Sequence, residues 1–186
     1  MPPEIEGELN HEVALVILVP EADALVGSFR ELYDPAANLG MPAHITINYT
    51  FNAYSNDKPG VLDVLVKLFL KYPCFQFCLN KIRSFPGVLY LAPEPEHPFV
   101  QLTKAVWEKF PDSPPYDGVH EGIIPHLTFA HIEDRKLNNR VCEEFLAYSK
   151  GRLPVCATAR VVWLMGLHQG KWGKREAIEL SAKTRQ

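Results

Sequence analysis

Two short segments, Pro42-Ala43-His44-Ile45-Thr46-Ile47 and Pro125-His126-Leu127-Thr128-Phe129, each carry a histidine and a threonine on either side of one aliphatic residue. Side chains on a β-strand alternate between its faces. Each segment, as a strand, therefore directs its imidazole and hydroxyl to one face and its aliphatic side chain to the other. Two such strands side by side bring two imidazoles and two hydroxyls into one small volume. This set of groups suits phosphate binding and proton transfer at ester oxygens.

Composition limits the class of protein. The chain has 186 residues, of which 47% are hydrophobic and 22% are charged, as expected of one globular domain with its own core. We expect residues 1–186 to form a single domain in which residues 1–11 are flexible. The net charge of -3 argues against a general binder of long DNA. No apolar run reaches the ~18 residues of a membrane span.

Cysteine spacing and charge distribution add two expectations. The cysteines Cys74, Cys78, Cys142 and Cys156 form no CxxC pair, so free thiols in a cytoplasmic protein are the simplest interpretation, with Cys74 and Cys78 as small buried residues. We also expect the protein to be a monomer. From Lys150 onward, Lys and Arg outnumber Asp and Glu. This excess is either a basic wall for a small anion or ordinary solvated surface.

Apolar periodicity predicts a mixture of strands and helices, hence an α+β fold. The predicted strands cover 13–19, 44–51, 75–85, 88–92, 123–132, 155–167 and 176–180, and the predicted helices cover 22–33, 61–71, 99–110 and 137–148. The last two strands form a closing hairpin around Gly170 and Gly173.

The order of elements indicates a degenerate internal duplication. Val19-Pro20-Glu21 leads to a helix, a loop and His44, and Ala92-Pro93-Glu94 leads to a helix, a longer loop and His126. A helix and a hairpin follow each histidine strand. Duplicated halves place equivalent strands beside each other across a pseudo-twofold axis, so the two segments are predicted to converge on one cleft.

The paired segments resemble the motifs of a known superfamily. The chain is similar to the 2H phosphoesterases, and within them to the 2′-5′ RNA ligase and cyclic phosphodiesterase-like family. The resemblance is carried by His44-Ile45-Thr46-Ile47 and His126-Leu127-Thr128-Phe129, with support from Phe85-Pro86-Gly87-Val88-Leu89-Tyr90-Leu91 and Pro114-Pro115-Tyr116. It implies a bilobal α+β fold in which two antiparallel sheets line a central cleft and helices lie outside. It also implies no cofactor and no metal.

The resemblance implies hydrolysis of a 2′,3′-cyclic phosphate or a 2′-5′ phosphodiester in a nucleotide or at an RNA end. Histidine titrates near neutrality, so His44 and His126 can supply one general base and one general acid. The sequence leaves open which histidine takes which role. Thr46 and Thr128 can donate hydrogen bonds to the non-bridging phosphate oxygens.

Three further side chains are candidates for substrate contact. Asn48 follows Thr46 at strand spacing and is predicted to share its face. Tyr116, in the loop before the second motif, and Trp172, in the last hairpin, can stack on a base. For each, ordinary packing is the alternative.

Other functions stay open from sequence. The fold could bind a nucleotide or RNA without turnover, or run in reverse as an RNA 2′-5′ ligase, although hydrolysis is favoured in water. A metal-dependent hydrolase is a third alternative, but the spacing of His120, His126 and His131 matches no zinc pattern.

Overall fold

The computed structural model describes residues 12–55, 60–119 and 122–182. The segment 1–11, predicted to be flexible, lies outside the described residues. The strands are β1 (Val13–Leu18), β2 (His44–Tyr49), β3 (Phe75–Phe85), β4 (Val88–Glu94), β5 (Leu127–His131), β6 (Val155–Ala159), β7 (Val161–His168) and β8 (Lys171–Glu179). The helices are α1 (Asp23–Tyr33), α2 (Pro35–Asn38), α3 (Asn52–Ser55), α4 (Val61–Phe69), α5 (His97–Lys109) and α6 (Arg135–Ser149), with 3₁₀ turns at Pro20–Ala22 and Pro115–Gly118.

The strands form two four-stranded antiparallel sheets. Sheet A has the order β2-β1-β7-β8, and sheet B has the order β5-β4-β3-β6. The predicted bilobal α+β architecture is therefore confirmed. Each motif strand lies at an edge of its own sheet, and each is paired with the strand that begins its half of the chain.

The two halves are interleaved. β1-α1-β2 corresponds to β4-α5-β5, but β3 from the first half pairs with β4, and β7 from the second half pairs with β1. Helix α1 packs on β5 and helix α5 packs on β2, so each half covers the motif strand of the other. The predicted duplication is confirmed in the order of elements.

The predicted strand 155–167 is two strands in the structure. Residues 155–167 were predicted as one strand, but the chain leaves β6 in sheet B at Ala159 and enters sheet A as β7 at Val161. The hairpin β7–β8 turns at Gln169 and Gly170, which have positive φ angles of 49° and 73° respectively, as a two-residue loop of type I′ requires. Gly173 consequently lies within β8.

The main hydrophobic core unites both sheets and the helices. Its fully buried members include Leu15 and Ile45 of sheet A, Leu79 and Leu127 of sheet B, and Phe145 of α6. A second, smaller cluster of Ala14, Val16, Met41 and Met165 lies on the opposite face of sheet A. We call this the inner face of sheet A, and we call the face of sheet B that carries Thr128 and Tyr90 the inner face of sheet B.

The free-thiol prediction is wrong for two cysteines. Cys78 of β3 and Cys156 of β6 face each other directly in the antiparallel register, with Cα atoms 4.0 Å apart, and form a disulfide. Their separation by 78 residues hid this pairing from sequence analysis. Cys74 and Cys142 are free and partly buried. The argument from free thiols for a reducing compartment is therefore removed.

Candidate active site

The first motif lies as its alternation predicts over three residues. Val16 pairs with Thr46 and Leu18 pairs with His44, which places both motif side chains on the inner face of sheet A. Ile45 points the other way and is fully buried in the main core. The imidazole of His44 is half-buried and the Thr46 side chain is partly exposed.

The alternation fails after Ile47 because the β1–β2 pairing contains a bulge. Leu15, a core residue, pairs with Asn48, and Ala14 of the inner face pairs with Tyr49. Asn48 is fully buried, and its Nδ2 donates to the Ser113 carbonyl over 3.0 Å. The prediction that Asn48 shares a face with His44 and Thr46 is wrong, since one extra residue in a strand reverses the faces beyond it. Tyr49 takes that place.

The second motif repeats this arrangement in sheet B. Thr128 pairs with Tyr90, and Leu127 pairs with Leu91 of the core. His126 immediately precedes β5, so the strand begins four residues later than predicted. Its ring meets the Tyr90 ring at a centroid distance of 5.5 Å and the Phe85 ring at 5.2 Å, in both cases edge to face.

The two motifs meet at the strand edges. Cα atoms of β2 and β5 approach within 8 Å, and His126 is close enough to His44 to contribute electrostatically to its pKa. The prediction that the two motif strands lie beside each other is therefore confirmed.

Both imidazoles are oriented by the same kind of hydrogen bond to the backbone. His44 Nδ1 lies 2.8 Å from the Pro42 carbonyl oxygen, and His126 Nδ1 lies 2.6 Å from the Ile124 carbonyl oxygen. A carbonyl oxygen can only accept, so Nδ1 carries a hydrogen in both rings. Each histidine consequently gains or loses its proton at Nε2.

His44 is held in its neutral form. Burial lowers its pKa from 6.5 to about 4. The bond to Pro42 and the charge of Asp34 oppose this shift, while the electrostatic effects of Arg30 and His126 add to it. His44 is therefore an unprotonated imidazole near neutral pH, and its Nε2 can accept a proton.

A buried ion pair stands behind His44. Arg30 Nε lies 2.9 Å from Asp34 Oδ2, and a second guanidinium nitrogen of Arg30 donates to the Met41 carbonyl over 2.9 Å. Arg30 thus fixes the chain just before Pro42, whose carbonyl orients His44. Sequence analysis missed this pair, because Asp34 was placed just beyond the end of the predicted helix 22–33.

The long loop before the second motif is docked on the first motif. Ser113 is fully buried, and its hydroxyl accepts from the Ala53 backbone N–H over 2.9 Å. Tyr116 follows in a left-handed backbone conformation with φ of 52°. Burial raises the pKa of the Tyr116 phenol, and a hydrogen bond with the Thr46 side chain acts against that shift. Tyr116 therefore lies directly at the first motif.

Aromatic side chains extend the inner face of sheet A beyond the motif. The Tyr49 ring lies 6.1 Å from Tyr116 and 6.3 Å from Trp172. Trp163 packs against the same inner-face cluster. The structure thus places Tyr116 and Trp172 around Tyr49, while their contact with substrate stays a prediction. Trp163 was missed because its predicted strand had no assigned face.

No group of three His, Cys, Asp or Glu side chains is arranged to hold a metal ion among residues 12–55, 60–119 and 122–182. His120 lies outside the described residues. In that same part of the chain, no helix is both long and apolar enough to span a membrane.

The sequence pattern of the 2′-5′ RNA ligase superfamily matches residues 18–171, which include both motifs. The chain belongs to this superfamily. No curated protein is similar enough in sequence to match the chain.

Solved structures with the same fold are distant in sequence. Escherichia coli LigT complexed with NADP+ is 15% identical, with a TM-score of 0.54 over 92% of this chain and 98% of LigT. LigT complexed with 3′-AMP is 14% identical, with a TM-score of 0.55 over 91% and 98%. The protein TT0787 of Thermus thermophilus is 13% identical, with a TM-score of 0.58 over 93% and 100%. At this identity, the likeness establishes the fold alone.

Proposed function

We propose that the chain is a metal-independent phosphodiesterase that hydrolyses 2′,3′-cyclic phosphates or 2′-5′ phosphodiesters of nucleotides or RNA ends. The observation that carries the proposal is the matched orientation of His44 and His126. In each ring, Nδ1 is hydrogen-bonded to the carbonyl oxygen two residues upstream, so Nε2 is the atom that transfers a proton. The strands that carry the two rings approach each other at their edges.

The low pKa of His44 supports its role as the base in this proposal. A general base must be unprotonated at the working pH, and burial keeps His44 neutral with a pKa of about 4. His44 Nε2 accepts a proton from water as the water oxygen attacks phosphorus. His126 Nε2 donates a proton to the sugar oxygen as the phosphorus–oxygen bond breaks. A cyclic phosphate gives a phosphate monoester with a free neighbouring hydroxyl, and a 2′-5′ phosphodiester gives a phosphate monoester and a separate alcohol.

The threonines stabilise the transition state. Thr46 and Thr128 lie two residues after their histidines on the same inner faces. Their hydroxyls donate to the non-bridging oxygens, where negative charge grows as phosphorus becomes five-coordinate. One such donor typically supplies about 10²–10³-fold in rate.

The test is hydrolysis of adenosine 2′,3′-cyclic phosphate and of 2′-5′-linked diadenosine in EDTA, with products separated by chromatography. We expect the wild type to form a single monophosphate isomer from the cyclic substrate. His44→Asn and His126→Asn should each lose about 10³-fold or more in kcat. His97→Asn, at the exposed start of α5, is the matched control and should retain full activity.

Two outcomes would contradict the proposal. Full activity in either motif variant would show that the histidines are not the acid and base. Binding of 3′-AMP without turnover of either substrate would favour the nucleotide-binding alternative.

A further inference from the structure

A row of side chains runs across the inner face of sheet A from the first motif. Thr46 pairs with Val16, and Val16 pairs in turn with Trp163. Neighbouring strands are about 4.8 Å apart, so Trp163 lies roughly 10 Å from Thr46 on the same face. Val16 between them is fully buried within the inner-face cluster. The register therefore places an indole ring, partly exposed, two strands away from the Thr46 hydroxyl.

The inner faces of the two sheets differ in chemistry. That of sheet A is built on Ala14, Val16, Met41 and Met165, with partly buried aromatic rings around them. On sheet B, Lys81 and Arg83 pair across the strands with Ala92 and Tyr90 of the inner face. Both cations are already occupied, because Lys81 lies 3.2 Å from Glu94 and Arg83 lies 3.0 Å from Glu96.

Lys174 of sheet A differs from these two cations. It pairs with Met165, which places it on the inner face, and its Nζ lies 4.4 Å from the centroid of the Trp163 ring. Among the described residues, no carboxylate lies within 4.0 Å of Lys174 Nζ. An exposed cation–π contact is weak, so a phosphate can displace it.

We propose that Trp163 and Lys174 form a second subsite, which binds the base and a second phosphate of a nucleotide whose reacting phosphate lies between the two motifs. This inference rests on the proposed function and adds the substrate class. The ribose bridges the distance between Thr46 and Trp163, the base stacks on Trp163, and Lys174 leaves the ring to bind the second phosphate. The preferred substrates are cyclic or 2′-5′ phosphates that carry a further phosphate on the same nucleotide, such as a 5′-phosphate.

The kinetic test compares adenosine 2′,3′-cyclic phosphate with and without a 5′-phosphate. We expect Lys174→Met to raise KM about 10-fold for the 5′-phosphorylated substrate only and to leave kcat unchanged, because the lost ionic contact does not touch the reacting bond. Lys171→Met is the matched control, since Lys171 lies on the same strand and three residues away, on the opposite face. An equal effect of Lys174→Met on both substrates, or no effect, would overturn the inference.

The base-stacking half has its own variant. Trp163→Leu should raise KM for both substrates by about 10-fold, because both carry adenine, whereas Trp163→Phe should recover part of that loss. Equal KM values for the wild type and Trp163→Leu would remove the indole from the subsite.

A binding measurement separates this inference from the proposed function. Calorimetry with adenosine 3′,5′-bisphosphate and adenosine 3′-monophosphate requires no turnover. We expect the bisphosphate to bind the wild type about 10-fold more tightly, and Lys174→Met to abolish that difference. This result would support the subsite even if no cyclic substrate were hydrolysed. Equal affinities in the wild type would overturn the subsite even if hydrolysis were observed.

Discussion

The two motif strands have one backbone plan and two different environments. In both, a carbonyl two residues upstream holds the histidine Nδ1, and a bulge interrupts pairing with the neighbouring strand. His44, however, is half-buried beside an internal ion pair, whereas His126 meets the edges and faces of two aromatic rings. Under the proposed mechanism, the difference teaches that a nearly symmetric pair acquires separate acid and base roles from its surroundings rather than from its sequence.

The strongest test of the difference between the two histidines uses a substrate whose leaving group departs without protonation by an acid. On thymidine 3′-(4-nitrophenyl phosphate), 4-nitrophenolate departs without protonation, so His126→Asn should recover most of the roughly 10³-fold that it loses on a cyclic phosphate. His44→Asn should stay inactive because water still needs a base. Release of nitrophenolate measures both. Rescue of His44→Asn instead would reverse the assigned roles.

The pH profile separates the two histidines next. The acid limb of kcat/KM reports the free enzyme, so it should follow the pKa of His44 and fall near pH 4 rather than near 6.5.

The same pKa shift predicts how the stability of the fold depends on pH. Unfolded His44 takes a proton below about pH 6.5, whereas folded His44 stays neutral down to about pH 4. The free energy of unfolding should therefore decrease as pH falls through this window, because the unfolded chain binds more protons.

The control for that profile is urea unfolding of the wild type and His44→Asn at several pH values. The variant should lose much of the decrease between pH 6.5 and about 4. An acid limb near pH 6.5 in the wild type would show that His44 is not the base of the free enzyme.

Substitutions in the ion pair of Arg30 and Asp34 provide a third test, for which we expect an effect of moderate size. Arg30→Met leaves Asp34 buried and unpaired and should destabilise the fold by about 3–5 kcal/mol. Arg30→Met combined with Asp34→Asn should recover much of that stability and still lower kcat about 10-fold, because nothing then fixes the Met41 carbonyl. The acid limb should move little, because Arg30 lowers and Asp34 raises the pKa of His44 and the double variant removes both charges. Urea unfolding and pH-dependent kinetics measure both properties. A double variant with wild-type kcat would deny Arg30 a positioning role.

The smallest expected effect concerns the loop at Thr46. Tyr116 is hydrogen-bonded to the Thr46 side chain, so phosphate must replace this contact to use that hydroxyl. Tyr116→Phe should lower the inhibition constant for inorganic phosphate about 3-fold, in line with one modest neutral hydrogen bond. Tyr49→Phe is the control, because the Tyr49 hydroxyl instead donates to Glu12 over 2.6 Å. Weaker phosphate inhibition in Tyr116→Phe would mean that the phenol helps to bind the anion.

The parts that the sequence predicted are those governed by local periodicity. Alternation placed His44 and Thr46 on one face and Ile45 on the other, and the repeated order of elements brought the two motifs together. Asn48 failed because a bulge is set by the pairing of β1 with β2, which local sequence does not encode. The disulfide and the division of the chain at Arg160 failed for a similar reason, since both depend on which distant strands pair.

The exchange of strands between the halves has a consequence for ancestry. A lone half that contained only β1, α1, β2, α4 and β3 would possess one motif but no complete sheet, since β3 pairs with β4 and not with β1. Such a unit could fold only by entwining with a copy of itself. Gene duplication of an intertwined homodimer, with a shared catalytic centre on its symmetry axis, would then yield this architecture. Cleaving the chain between its halves should accordingly leave two fragments that must reassociate before either can act.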